Sequence, residues 1–128
     1  MRGLLDTSIF IATEQGQPLS AEQLPDQAAI SVVTLAELEL GVHMATDEAI
    51  RAKRLRTLGA ARATYAALPV DERVASAFAE LIAATRTAGR RPKVQDAWIA
   101  ATARAHSVPV YTQDRDFDEL PGVDVRRV

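Results

Sequence analysis

The chain has 128 residues, of which 48% are hydrophobic and 25% are charged, and its formal net charge is −2. These values predict one globular domain over residues 1–128, and no apolar run reaches the ~20 residues that a transmembrane helix needs. Asp6 and Glu14 interrupt the first apolar segment, so no signal peptide is expected. The absence of cysteine excludes disulfides and thiolate metal sites and favours the cytoplasm.

The basic residues are concentrated in two segments, 51–62 and 86–93, which hold nine of the fifteen lysines and arginines. The small negative net charge does not by itself predict nucleic-acid binding. An exposed helix face explains either segment taken alone, and an anionic polymer as partner is compatible with both.

The first apolar run, residues 3–5, predicts a strand that is buried on both faces and lies centrally in a parallel sheet. In open α/β sheets, the carboxyl ends of such strands form the ligand crevice. Asp6 follows the run directly, so its side chain is expected at the floor of a site. The alternative is that Asp6 only caps the helix that follows.

Strands and helices alternate along the rest of the chain. Further strands are predicted at 28–31, 108–112 and 123–126, the last of them at a sheet edge, while 68–70 is a short extended link or a third strand. Helices are predicted from about Ser8, over 32–45, from 46–48 to about 67, from Asp71 to Ala88 and over 94–106, with a brief turn and a capping box at 20–23. This alternation predicts a three-layer α/β/α sandwich with a mainly parallel, roughly five-stranded sheet.

Glu37 is a carboxylate on a mostly apolar stripe of the helix predicted at 32–45. Its neighbours three and four positions away are apolar or small except for Thr34, while Glu39 and His43 share another face that can contact water. Burying an unpaired carboxylate is costly, so Glu37 requires either a nearby cation or a proton. The alternatives are a capping box with Thr34 and a place at the edge of the stripe.

Asp96 and Asp114 show a similar pattern in the second half of the chain. Asp96 shares an apolar helix face with Ile99 and Ala100. The alternative is a first-turn aspartate that interacts with free N–H groups and the helix dipole. Asp114 follows the strand predicted at 108–112, where a polar turn with backbone capping is the alternative.

Together, these four carboxylates predict a metal site. Two follow strands expected near the centre of the sheet, and two project from apolar helix faces beside those strands. Four like charges in one crevice repel one another strongly unless a multivalent cation neutralises them. Because the chain has no cysteine and only two histidines, the donors are oxygens, which favours Mg²⁺ or Mn²⁺ over Zn²⁺.

Four motifs, in order along nearly the whole chain, carry a resemblance to a known family. They are LLDTS at 4–8, VTLAEL at 33–38, QDAWIAA at 95–101 and TQDRDF at 112–117. The set resembles the PIN-domain ribonucleases, and specifically the VapC toxins of bacterial type II toxin–antitoxin pairs. Many relatives have Asn before the third acid, where this chain has Gln95, a difference that leaves the acid itself intact.

The resemblance implies a catalytic site of acidic residues, namely Asp6, Glu37, Asp96, Asp114 and Asp116. It implies that Asp6, Asp96 and Asp114 bind the metal, with Asp6 and Asp96 as the leading ligands and Asp116 assisting. Hydroxyl side chains expected to orient ligands or water are Thr7, Ser8 and Thr112. The resemblance also implies a cognate VapB-type antitoxin that blocks the site, an RNA substrate and homodimerisation.

The expected activity is metal-dependent hydrolysis of RNA phosphodiesters. The cation would polarise a phosphoryl oxygen and activate a water for in-line attack, and Glu37 would orient that water or accept its proton. By resemblance, the products carry a 5′-phosphate and a 3′-hydroxyl. The alternative is a catalytically inactive RNA- or protein-binding module, but a decayed site would have lost at least one of the acids.

Two other enzyme classes with acidic pockets are excluded by single residues. A haloacid-dehalogenase-type phosphatase needs a second aspartate two positions after the first, where this chain has Ser8. A two-component receiver domain needs a lysine at the end of a late strand. The only lysines, Lys53 and Lys93, lie in or beside predicted helices.

Overall fold

A computed structural model describes residues 2–128, in which five strands alternate with helices. The strands are β1 (Arg2–Leu5), β2 (Gln27–Ser31), β3 (Ala66–Leu68), β4 (Val110–Thr112) and β5 (Val125–Arg127). The α-helices are α1 (Thr7–Glu14), α2 (Val32–Met44), α3 (Glu48–Thr64), α4 (Glu72–Thr87) and α5 (Val94–Ala105). Two 3₁₀ turns, Ala21–Gln23 and Arg115–Glu119, complete the regular structure.

The five strands form one sheet in the order β3-β2-β1-β4-β5, and each neighbouring pair is parallel. The apolar first strand is central, as predicted, and β5 lies at an edge. Along the chain, β2 and β3 are added on one side of β1, and β4 and β5 are then added on its other side. The neighbours β1 and β4 therefore flank the topological switch point, where their carboxyl ends leave a crevice for a ligand.

The two faces of the sheet are covered by different helices. Leu4 of β1 packs with Leu81 of α4 and Ile99 of α5 in one cluster of buried residues. The next residue, Leu5, points to the other face, because side chains alternate along a strand, and there it packs with residues of α1, α2 and α3. The predicted three-layer sandwich is therefore confirmed.

The third strand begins earlier than the sequence indicates. The predicted helix runs to about residue 67 and the predicted strand covers 68–70, whereas α3 ends at Thr64 and β3 is Ala66–Leu68. Alanine has little strand preference, so Ala66 and Ala67 gave no local signal, and their place is determined by pairing with β2. Pro69 has no N–H for further pairing, which ends the strand.

The predicted helix starts can be compared with the structure. Asp47 accepts hydrogen bonds from the N–H groups of Ala49 and Ile50, and Asp71 accepts one from Val74, so the helix starts predicted at 46–48 and at Asp71 are confirmed. The capping box predicted at 20–23 is wrong, because Ser20 makes no side-chain cap bond to its 3₁₀ turn. Within residues 2–128, no helix combines the length and apolar character needed to cross a membrane.

Candidate metal centre

Asp6 lies at the switch point, where it directly follows β1 and is only 3% exposed. Its Oδ2 accepts hydrogen bonds from Thr112 Oγ1 at 2.8 Å and from the Ser8 N–H at 3.3 Å. Asp6 therefore does cap α1, as the alternative proposed, and the same carboxylate also belongs to the crevice. The backbone N–H of Asp114 donates to Thr112 Oγ1 at 2.8 Å, so one buried hydroxyl positions both strand-end aspartates.

The hydroxyl of Ser8 strengthens the connection between the two strand ends. Its Oγ lies 3.2 Å from Thr112 Oγ1 and accepts a hydrogen bond from the Gln113 N–H at 3.0 Å. Because buried polar groups are costly unless they are hydrogen-bonded, this network has a fixed geometry. It also holds the segment that carries Asp6 against the segment that carries Asp114.

Glu37 faces the crevice from α2. Thr7 Oγ1 donates a hydrogen bond to Glu37 Oε1 at 2.7 Å and lies 3.1 Å from Thr34 Oγ1. Burial raises the pKa of Glu37 and the charge of Asp6 raises it further, while the Thr7 hydrogen bond and nearby Lys93 act in the opposite direction. The alternative capping box with Thr34 is wrong, because the N-cap of α2 is the preceding Ser31.

Asp96, in the first turn of α5, is 8% exposed, and its Oδ2 is buried without a hydrogen-bond partner within residues 2–128. Burial raises its pKa from 3.8 to about 7, with further contributions from the charges of Asp6, Asp114 and Glu37. Free N–H groups of the helix therefore do not satisfy this oxygen, which argues against the first-turn explanation. Among the described residues, only the charge of Lys93 favours the charged form of Asp96, and it does not offset the burial.

Asp114 and Asp116 approach Asp96 from the other side of the crevice. Each of the three offers a carboxylate oxygen, and these atoms lie within 4.8 Å of one another. Asp114 Oδ1 also accepts a hydrogen bond from the Asp116 N–H at 2.9 Å, so the predicted turn capping is present as well. Asp6 is not a member of this close group, although its charge acts on both Asp96 and Glu37.

Lys93 is a site residue that the sequence analysis did not single out. Its Nζ lies 2.7 Å from Asp116 Oδ2, and its charge lowers the pKa values of Glu37 and Asp96. The sequence placed Lys93 in a generic basic segment. The available signal was its position three residues before Asp96, at the start of the same helix.

The donor set fits a divalent cation. All the converging side chains are carboxylates, and one of them has a buried oxygen that no protein group satisfies. A hard cation takes oxygen ligands and would offset both the repulsion among the acids and the cost of ionising Asp96. The described residues thus form an acidic metal pocket at the switch point of a doubly wound α/β sheet.

Comparison with known proteins shows the family of the chain. Residues 3–123 match the PIN domain family. The chain is 47% identical to Ribonuclease VapC5 of Mycobacterium tuberculosis, in an alignment that covers 98% of this chain and 95% of that protein. The chain therefore belongs to the PIN-domain family, among the VapC ribonucleases. Divalent-metal dependence follows from this family of nucleases together with the acidic cluster.

Solved structures agree with this assignment. The fold matches the crystal structure of a member of the VapBC family of toxin–antitoxin systems, VapBC-5, from Mycobacterium tuberculosis. The TM-score is 0.90 at 44% identity, and the match covers 99% of this chain and 98% of that one. It also matches the crystal structure of FitAcB from Neisseria gonorrhoeae, with a TM-score of 0.77 at 31% identity and coverage of 98% and 96%.

Proposed function

We propose that this chain is a Mg²⁺-dependent endoribonuclease and the toxin of a type II toxin–antitoxin pair. The observation that carries the proposal is the buried, unpaired Oδ2 of Asp96 beside the other acids, in a member of the PIN-domain family. A module that only binds RNA or protein gains nothing from an uncompensated buried carboxylate. A metal-dependent nuclease uses that carboxylate to hold its cation.

The metal ligands that we propose are Asp6, Asp96 and Asp114, with Asp116 assisting from the same close group. This assignment is supported by the short distances among the last three and by the effect of Asp6 on the pKa of Asp96. These carboxylates would hold the ion, which would supply a Lewis acid for the substrate phosphate and for the attacking water. Mg²⁺ suits an all-oxygen site, and Mn²⁺ is the expected substitute.

Glu37 is the residue that we assign to proton transfer. The hydrogen bond from Thr7 fixes its carboxylate in the crevice, and burial gives it a raised pKa. A raised pKa makes a carboxylate a better base near neutral pH, so Glu37 is suited to orient the attacking water and accept its proton. Cleavage would leave a 5′-phosphate and a 3′-hydroxyl without using the 2′-hydroxyl of the substrate as nucleophile.

A groove beside Glu37 is the surface that we assign to the antitoxin. It encloses a cavity of about 400 Å³ between α1 and α2, and its lining includes Ile11, Leu40 and Met44. These three apolar side chains are 44%, 59% and 68% exposed. Exposed apolar surface of this kind is typical of protein interfaces. Because a related solved structure is a member of the VapBC family of toxin–antitoxin systems, we propose that an antitoxin segment covers this groove and blocks the acids.

Three further properties belong to the same proposal. Residues 1–128 act as a single PIN domain, the chain forms a homodimer that also binds the antitoxin, and the enzyme acts in the cytoplasm. RNA substrates and the absence of cysteine support the cytoplasm. Sedimentation of the purified chain with and without its antitoxin tests the two assemblies.

Sequencing of RNA 5′-phosphate ends after induction of the chain in cells tests the nuclease. We expect new, discrete 5′-phosphate ends with the parent protein and none with an Asp6→Asn control. The control keeps the size of the side chain and removes its charge. Identical ends from both proteins, or no new ends from the parent, would contradict the proposed activity.

A further inference from the structure

We infer that a cavity between α4 and the start of α5 binds one nucleotide of the RNA, next to the nucleotide that is cleaved; this inference rests on the proposed function. The cavity has a volume of about 710 Å³. Its lining combines an apolar part, Phe78, Ile82 and Val94, with a basic part, Arg86, Arg90 and Arg91.

The basic part of the cavity has no counterion of its own. Within residues 2–128, the side chains of Arg86, Arg90 and Arg91 make no ion pair or hydrogen bond. No acidic residue is among the described residues that line the cavity. Three unneutralised guanidinium groups around one concave surface form an anion site, and guanidinium groups bind phosphate through paired donors.

The other basic segment, 51–62, differs because most of the arginines in it already bind other groups of the protein. Arg51 pairs with Glu48 and donates to the Ala45 carbonyl, Arg54 donates to the Gly41 carbonyl, and Arg62 pairs with Glu39. These contacts tie α3 to α2 and its C-terminal end. The structure therefore separates two segments that look equivalent in the sequence. Arg86, Arg90 and Arg91 line a cavity without an acidic residue, whereas Lys53 and Arg56 line one that also contains Glu14.

The apolar part of the cavity suits a nucleobase. The ring of Phe78 stacks on Trp98 with the ring centroids 3.7 Å apart and an interplanar angle of 11°. This packing holds the Phe78 ring in place, so a base that contacts it costs little side-chain ordering. Contacts between bases and aromatic rings are tolerant of sequence, as binding to single-stranded RNA requires.

The cavity adjoins the metal centre through the residues at the start of α5. Pro92 and Val94 line it, while Lys93 between them reaches Asp116. A second concavity shares Arg91 and Pro92 with the cavity and is also lined by Asp116 of the acidic group, together with Asp118 and Glu119. An RNA strand whose scissile phosphate lies at the acids can therefore place a neighbouring phosphate against Arg91 and its base in the cavity.

Binding of a fluorescein-labelled, mixed-sequence 12-nucleotide RNA, measured by anisotropy in a Glu37→Gln background with Mg²⁺, tests this site. The test variant is Arg86→Gln/Arg90→Gln/Arg91→Gln. The matched control is Arg2→Gln/Arg56→Gln/Arg73→Gln, which removes the same charge from three exposed arginines outside the cavity.

We expect the test variant to bind the RNA at least tenfold more weakly than its parent at low salt, with a salt-dependence slope smaller by about 1–2. The control triple should differ from the parent by less than about threefold, through its effect on net charge. Equal weakening in the two triples would overturn the inference. So would unchanged RNA binding with weakened antitoxin binding, because the cavity would then serve a protein partner.

The apolar part of the cavity is tested separately with Phe78→Leu, compared on RNA and on inorganic polyphosphate of similar charge. A nucleotide site predicts weaker binding of RNA, by about 3–10-fold, with polyphosphate binding unchanged. Equal effects on both polymers would reduce the site to a charge patch and overturn the nucleotide assignment. Circular dichroism establishes that each variant is folded.

The same variants, made without Glu37→Gln, are then assayed for cleavage of total cellular RNA. A parent protein that cleaves no RNA with Mg²⁺ or Mn²⁺ contradicts the proposed nuclease, while the anisotropy comparison still decides the cavity. A parent that cleaves, together with a test triple that cleaves and binds as well as the control triple, contradicts only the cavity.

Discussion

The side chain of Asp96 is held in the first turn of α5 with one oxygen buried and unpaired. Its pKa is about 7 in the folded protein and near 3.8 in an unfolded chain. Between these values the folded state binds more protons, so the stability of the metal-free protein falls as pH rises from about 4 to about 7. Above pH 7 the full cost of ionisation is present.

Asp96→Asn should therefore stabilise the metal-free protein while removing its activity. At pH 8 we expect a gain of about 1–2 kcal/mol in the free energy of unfolding, less than the full equivalent of the pKa shift because water reaches the crevice. Near pH 4 the gain should disappear. Urea unfolding in EDTA at both pH values measures it, and a variant that is less stable at pH 8 would contradict the assigned pKa.

Thr112 is a second residue whose replacement has a calculable effect, because its buried hydroxyl donates to Asp6 and accepts from the Asp114 N–H. Thr112→Val keeps the shape, removes the acceptor of the Asp114 N–H and leaves Asp6 Oδ2 with only its hydrogen bond from Ser8, which should cost about 1–3 kcal/mol of stability. RNA cleavage should fall at least tenfold at saturating Mg²⁺, since both strand-end aspartates lose their orientation. Thr112→Ser keeps the hydroxyl and is the control; equal losses in both variants would exclude the hydrogen bonds as the cause.

Helix α2 serves two purposes, because one side of it carries Glu37 to the acids and another exposes Leu40 and Met44 beside the groove. Leu40→Asp/Met44→Asp should leave stability within about 0.5 kcal/mol per substitution and leave cleavage intact, since both side chains are exposed. Inhibition by the antitoxin should weaken at least a hundredfold, because the substitutions place charges in an apolar interface.

The control for this pair is Leu55→Asp, which changes an exposed leucine of α3 outside the groove. Titration of purified antitoxin against RNA cleavage compares the variants. If the antitoxin inhibits the double variant as well as it inhibits the Leu55→Asp control, the groove does not bind the antitoxin.

The sequence predicts helices and strands well where local chemistry determines them. The uninterrupted apolar run before Asp6 correctly indicates a central strand, and Asp47 and Asp71 correctly indicate helix starts. The position of β3 was missed, because Ala66 and Ala67 have no strong preference and long-range pairing with β2 decides their conformation.

The candidate site follows a similar rule. A sequence shows which carboxylates follow strands or share a helix face with apolar residues. Asp6, Glu37, Asp96 and Asp114 could therefore be predicted as site residues from residue patterns. The distances among these four acids could not be predicted, because they depend on how strands far apart in sequence become neighbours. For the same reason, the contact of Lys93 with Asp116 appears only in the folded chain.

For the whole molecule, the acidic pocket makes stability depend on metal. A ligand that binds only the folded state adds about 2.7 kcal/mol at a concentration one hundred times its Kd. We therefore expect millimolar Mg²⁺ or Mn²⁺ to raise the Tm at pH 8. The rise should shrink below pH 7, where Asp96 must release a proton before it can bind the ion. Differential scanning calorimetry measures this dependence.

Asp96→Asn provides the control, since it removes a ligand from the same fold. Metal should raise the Tm of this variant far less than that of the parent. A rise of equal size in both proteins would show that the ion binds elsewhere on the molecule.

The parallel pairing of β1 with β4 joins segments from opposite ends of the polypeptide, with Leu4 beside Val110 and Leu5 beside Tyr111. During translation, the strand that carries Asp6 leaves the ribosome long before its neighbour has been made. A growing chain thus lacks the Thr112 hydroxyl and three of the five acids until residues 96–116 emerge. Synthesis of this toxin should therefore be harmless to the translating machinery until the chain is nearly finished, which leaves time for a co-translated inhibitor to accumulate.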